Sequence, residues 1–111
     1  MSRMLKAAVM ICLLAGPAFA DDTKSGNDML APCKAVATRD DAHIDTPWCL
    51  GIVEALMWAN PDYRVCRPPA VPVGQGVRVV VRYLDHHPER LHLNFKDLAV
   101  EAFREAWPCK Q

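Results

Sequence analysis

Four cysteines spaced C-x15-C-x16-C-x42-C, at Cys33, Cys49, Cys66 and Cys109, constrain this 111-residue chain more than any other feature. They follow a segment with the marks of a secretory signal: basic Arg3 and Lys6, an apolar run from Ala7 to Ala15, a break at Gly16-Pro17, and Ala18-Phe19-Ala20 before Asp21. That apolar run is too short to span a bilayer, so residues 1–20 read as a cleaved secretory leader. Cys12, the fifth cysteine, lies inside the run behind Val9-Met10-Ile11, where a lipidation site would want small residues; it leaves with the leader. An even cysteine set behind an export signal reads as a disulfide framework in an oxidising compartment.

Residues 21–111 then form one domain. The whole chain carries 13 basic and 13 acidic residues, so loss of Arg3 and Lys6 leaves the remainder two charges acidic. Such a balance gives no footing for nucleic acid or an anionic membrane. A chain of this length buries only ~60–65% of its unfolded surface, and disulfides supply what a small core lacks. The chain-entropy model assigns about 3 kcal/mol to a loop of ~16 residues and about 4 to one of ~43.

Hydrophobic periodicity points to helices. Met29, Leu30, Cys33, Val36 and Ala37 share one helical face, with Asn27 or Asp28 as the cap and a polar, frayed leader from Asp21 to Gly26. Thr46-Pro47 starts a second helix. It carries Trp48, Cys49, Ile52, Val53, Leu56, Met57 and Trp58 with Glu54 as its single charge, and reads as the central, most buried helix, stopping at Asn60-Pro61. Pro61 to Gly76 is a long proline-rich loop that a disulfide at Cys66 would pin. Val77 to His87 fits both strand alternation and the helical stripe Val77, Val80, Val81 and Leu84; with no neighbouring hairpin partner, it is assigned as helix, ending at Pro88. Asn94 to Trp107 repeats Phe95, Leu98, Ala99, Ala102 and Phe103 at helical spacing. Asn94 caps it, Asp97 sits where it can reach back, and Leu93 can staple onto Leu98. The expected fold is all-α, a small disulfide-stapled bundle of about four helices.

Four cysteines allow three pairings. Cys33 with Cys49, tying neighbouring helices, and Cys66 with Cys109, fastening the proline-rich loop to the chain end, is the favoured one. No C-x-x-C suggests a thiol oxidoreductase, and the spacing does not suit a zinc knuckle. The only serine after the leader is Ser25, in the frayed segment, so no nucleophile–base pair presents itself; no catalytic residue, metal or cofactor is expected. Trp48, Trp58 and Trp107 read as core. Gly51 is either a harmless glycine or the mark of a close helix crossing beside Cys49. Asp85, His86, His87, Glu89, Arg90 and His92 form a polar connection, the candidate partner-binding segment, with Arg64 and Arg67 as further candidates.

The ordered set Asn27-Asp28-Met29-Leu30, Cys33, Cys49-Leu50-Gly51, Cys66-Arg67-Pro68, Gly76-Val77, Val81-Arg82-Tyr83-Leu84, His87-Pro88-Glu89, Ala102-Phe103 and Ala106-Trp107-Pro108-Cys109 resembles the Rap/Tai family of periplasmic immunity proteins. The resemblance runs from about Asn27 to Cys109, with Trp107-Pro108-Cys109 where the family typically ends in Phe-Pro-Cys. It implies an all-helical homodimer that binds a peptidoglycan amidase delivered by type VI secretion and blocks its groove, without catalysis of its own. It places the four cysteines in the structural frame and transfers no toxin-contacting residue. The alternative from the residues themselves is a periplasmic stress protein or acid-triggered chaperone, in which His43, His86, His87 and His92 charge below about pH 6.

Overall fold

In the computed structural model, residues 23–39, 45–59 and 63–110 are described. The signal reading of residues 1–20, His43 and the Asn60-Pro61 stop lie outside them. Among the described residues the fold is made of four helices, α1 (Gly26–Thr38), α2 (Thr46–Trp58), α3 (Val73–His86) and α4 (Phe95–Ala106), with a short 3-10 turn at Pro88–Arg90 between α3 and α4. No strand occurs among the described residues; the only bridge pairs are Ser25 with Asn94 and Val65 with Pro108.

The start of α1 corrects the expected frayed leader. Ser25, not Asn27 or Asp28, is the cap. Its hydroxyl accepts from the Asp28 amide at 3.2 Å, while the Asp28 carboxylate accepts from the Ser25 amide at 2.9 Å. This reciprocal box satisfies two amides that a helix start otherwise leaves bare. Those hydrogen bonds to Ser25 hold the Asp28 carboxyl below its usual range. The same stretch is sewn to the beginning of α4: the Phe95 amide donates to the Lys24 carbonyl at 2.8 Å, Gly26 to Leu93 at 3.0 Å and Asn27 to Leu91 at 2.8 Å.

α2 begins at Thr46 with Pro47 in its first turn and Asp45 as the preceding cap residue. It buries Cys49, Val53, Leu56 and Met57 on one stripe. It is not the central helix. That place belongs to α3, which packs most extensively, burying Gly76, Val77, Val80, Tyr83 and Leu84 at spacings of three and four. α3 also starts earlier than expected, at Val73 after Pro72, because a proline carbonyl with extended ψ can open a helix whose first amides face solvent. At α4 the Asn94 side chain accepts from the Lys96 amide at 2.9 Å. No bond from Asp97 closes a second box there. Leu93 is 37% exposed, and Leu91 is the residue that packs against the core.

The core gathers Phe95, Leu98 and Phe103 of α4, Met29 of α1, Val53 of α2 and Val77, Val80 and Leu84 of α3, each almost fully buried. The structure joins Cys33 to Cys49, linking α1 to α2, and Cys66 to Cys109, linking the proline-rich loop to the chain end. Around the second bridge the Cys66 amide donates to the Trp107 carbonyl at 2.9 Å and the Arg104 Nε donates to the Tyr63 carbonyl at 2.7 Å. Val65 is buried beneath them. Arg64 and Ala70 take left-handed backbone angles (φ 59° and 66°) that turn this loop back on itself.

Candidate interaction surfaces

The polar segment between α3 and α4 divides into residues that face inward and residues that face out. Arg90 faces inward. Its guanidinium grips the Glu101 carboxylate of α4 with both arms, Nη2 to Oε1 at 2.9 Å and Nη1 to Oε2, and Nη1 also donates to the Tyr83 hydroxyl of α3. The Tyr83 hydroxyl in turn donates to Glu101 Oε2 at 2.7 Å. Two-armed arginine–carboxylate pairing fixes direction as well as distance, so the 3-10 turn is clamped to the two helices it connects. The electrostatics follow. Arg90 and then Tyr83, donating to the Glu101 carboxylate, hold it down to about 2. Burial, aided by the bond to Glu101, pushes the Tyr83 phenol up to about 12. Glu101 raises Arg90 above its already high value.

His87 is held too. Its ring stacks on Tyr83 with centroids 4.1 Å apart, and Nδ1 lies 2.8 Å from the Tyr83 carbonyl. A carbonyl only accepts, so Nδ1 carries the proton. Asp85 pairs with Lys34 of α1 at 2.9 Å, each about half exposed. What remains outward is His86, Glu89 and His92. Of the six candidate residues, then, three stand exposed without a structural role in the junction. Asp85 is shared with α1, and His87 and Arg90 act as the frame that presents the others. Among the described residues no group of three or more His, Cys, Asp and Glu side chains could hold a metal ion.

Arg64 is exposed, while Arg67 is half-buried with its Nε enclosed and unbonded. Arg67 borders a depression with Glu54, Met57, Trp58, Val71 and Val73, so it belongs to the α2 side of the molecule, not to the α3–α4 junction.

A second exposed surface corrects the expectation that all three tryptophans lie in the core. Trp48 is 51% exposed and Trp58 79% exposed; only Trp107 is partly covered, stacked on Phe103 at 5.4 Å. α2 has two apolar stripes, the buried Cys49–Val53–Leu56 and a second one through Trp48, Gly51, Ile52 and Ala55. Together with Pro47, the second lines a shallow, open apolar depression of about 400 Å³ on this one helix. A smaller hollow on the other side of Trp48 is bordered by Lys24, Ile52, Asn94 and Lys96, and Lys24 Nζ stands 5.8 Å over the Trp48 ring. Gly51 faces open space, with nothing within 4 Å of where a Cβ would stand. No close crossing among the described residues therefore explains it. The signal for this face was present: a helix with one charge and apolar residues on both sides needs cover on both sides, and the three other described helices cover only one.

Among the described residues, four helices on a two-disulfide frame carry a clamped polar junction between α3 and α4 and an apolar outer face on α2. The model of the Rap1a immunity proteins matches residues 25–109, and the chain belongs to that family. No curated protein and no solved structure matches it.

Proposed function

We propose that the protein is a periplasmic immunity protein that binds and blocks a peptidoglycan amidase toxin delivered by type VI secretion, acting as a homodimer and without catalysis of its own. The observation that carries this reading is the family match, which spans every helix from the Ser25 cap to Cys109. The geometry supports the mode of action. A loop that enters another protein's groove loses less entropy on binding if it is already rigid, and the Tyr83–Arg90–Glu101 clamp with the His87 stack supplies that rigidity. His86, Glu89 and His92 are the residues set to meet the toxin. A leader over residues 1–20 and the two disulfides fit a periplasmic site of action, and no helix among the described residues is long and apolar enough to cross a membrane. The acid-chaperone alternative draws little from the structure: His86 and His92 are exposed, His87 is only half-buried where it stacks on Tyr83, and His43 lies outside the described residues.

The test is inhibition. The disulfide-bonded chain, mixed in stoichiometric amount with the cell-wall amidases encoded beside it or in neighbouring type VI clusters, is expected to abolish peptidoglycan cleavage by one of them. Full activity across that panel overturns the assignment.

A further inference from the structure

We propose that the Cys66–Cys109 bridge is a redox-addressed latch. A dithiol reductant, of the kind a thiol–disulfide oxidoreductase presents, opens it in the folded protein while Cys33–Cys49 stays closed, and so frees the proline-rich loop from the chain end. The latch is independent of what the chain binds and follows from where the two bridges lie.

The two bridges differ in access. Cys33 and Cys49 are fully buried, one on α1 and one on α2. Cys66 is exposed and Cys109 partly exposed. Thiol–disulfide exchange needs a thiolate to reach a sulfur, so the first bridge waits for the core to open and the second does not. The bridges also differ in what rests on them. Met29, Val53, Val80, Leu84, Phe95 and Phe103 are supplied to the core by the helices, whereas of the described loop residues, 63–72, Val65 alone is buried. Opening the second bridge therefore leaves the helices packed and α1 still tied to α2. The two cysteines are, moreover, kept side by side by contacts that do not need the S–S bond. The Cys66 amide donates to the Trp107 carbonyl at 2.9 Å, the Arg104 Nε donates to the Tyr63 carbonyl at 2.7 Å, and Val65 pairs with Pro108. The freed thiols stay neighbours and close again when an oxidant returns. A bridge that is both accessible and held in register opens and closes reversibly; a buried one serves as a fixed staple.

In the opening step one thiolate of the reductant attacks the sulfur of Cys66, the more exposed residue of the pair. The S–S bond breaks, Cys109 leaves as a thiolate, and a mixed disulfide forms on Cys66. The second thiolate of the reductant then attacks the reductant's own sulfur in that mixed disulfide and releases Cys66 as a thiolate. The dithiol ends as a disulfide, two electrons pass to the Cys66–Cys109 pair, and both thiolates take protons from water.

The experiment is timed reduction of the disulfide-bonded chain by dithiothreitol under native conditions, with iodoacetamide trapping and peptide mass mapping of each cysteine. Cys66 and Cys109 are expected to label together, at least about a hundredfold faster than Cys33 and Cys49, because a buried bridge is reached only through rare opening of the core. Far-UV circular dichroism is expected to stay native once the first pair is open. Exchanging dithiothreitol for oxidised glutathione before trapping is expected to restore the Cys66–Cys109 bridge. In guanidinium chloride, where burial no longer separates them, both pairs are expected to label at similar rates. A double variant, Cys66→Ser with Cys109→Ser, is expected to keep its helical signal and a cooperative melt. Native labelling of Cys33 and Cys49 first, or in step with the other pair, overturns the latch. A rate gap that persists in guanidinium chloride traces the difference to local sulfur chemistry and overturns it too. So does loss of helical structure when the second bridge is opened or replaced, or failure of Cys66 and Cys109 to re-pair.

Discussion

Gly26 is the position where a single methyl group tests the packing most sharply. It is the first residue of α1 and lies against the segment that leads from the 3-10 turn into α4. A Cβ there would stand 2.8 Å from Leu98 Cδ1, 3.0 Å from the Leu91 carbonyl oxygen and 3.1 Å from Leu91 Cα. Leu98 is almost fully buried and has little room to turn away. The Leu91 backbone is held from the same side, since its carbonyl accepts from the Asn27 amide at 2.8 Å and the Leu93 carbonyl accepts from Gly26 itself at 3.0 Å. Gly26→Ala therefore has to push the segment outward and stretch two hydrogen bonds. Overpacking of this kind costs about 1–3 kcal/mol. The helix preference of alanine returns at most about 1 kcal/mol, and less in the first turn. The net loss is about 1–2 kcal/mol, which for a domain of this size lowers the melting midpoint by about 5–15 °C. Thermal melts followed by far-UV circular dichroism at neutral pH, disulfides intact, measure it. Two sister variants calibrate the result. Gly51→Ala meets nothing within 4 Å and is expected to be neutral or to gain up to about 1 kcal/mol. Gly76→Ala meets the Met57 sulfur at 2.5 Å, but a thioether side chain can swing aside, so it falls between them. A Gly26→Ala protein as stable as the native chain would refute this reasoning about the α1–α4 seam.

Other perturbations separate the remaining parts. Replacing Cys66 and Cys109 by alanine opens the bridge of sequence separation 43 and replacing Cys33 and Cys49 the one of 16; the chain-entropy model gives losses of about 4 and about 3 kcal/mol, readable as urea midpoints in that order. Glu101 has a folded pKa of about 2 against an ordinary 4.5, so its clamp stabilises the fold above pH 4.5 and that contribution is lost as the pH falls toward 2. With the Glu101 side chain 37% exposed, solvent screening reduces the effect to about 1 kcal/mol. Glu101→Gln is expected to lower stability at neutral pH and to match the native chain in strong acid, and a gap between the two melts that does not narrow on acidification would contradict it.

Much of the fold was legible because its signals are local. The four helices follow from the three-and-four spacing of apolar residues, the cap at Asn94, and the prolines at Pro47 and Pro88. The misreadings have physical causes. Ser25 was set aside as part of a frayed leader because its role depends on Asp28 and on bonds from residues 24–27 to residues 91–95, far along the chain. Large aromatics usually bury, which points Trp48 and Trp58 to the core, yet a helix apolar on both sides cannot bury both against three neighbours. At the junction the residue types marked the segment but not its division: that Arg90 and His87 turn inward depends on Tyr83 and Glu101, and the Arg90–Glu101 pair spans eleven residues. Sequence alone shows which residues are polar there, and only the packing of α3 against α4 shows which of them are free.

The most direct measurement is the affinity of the disulfide-bonded chain for the amidase that the inhibition assay identifies, set against a triple variant, His86→Ala, Glu89→Arg and His92→Ala, that alters the outward residues and leaves the Arg90 clamp intact. Tight, stoichiometric binding by the native chain is expected, with a loss of at least about a hundredfold in the variant and no change in its melting midpoint. An amidase bound equally well by both proteins would contradict the placement of the toxin contact at the α3–α4 junction.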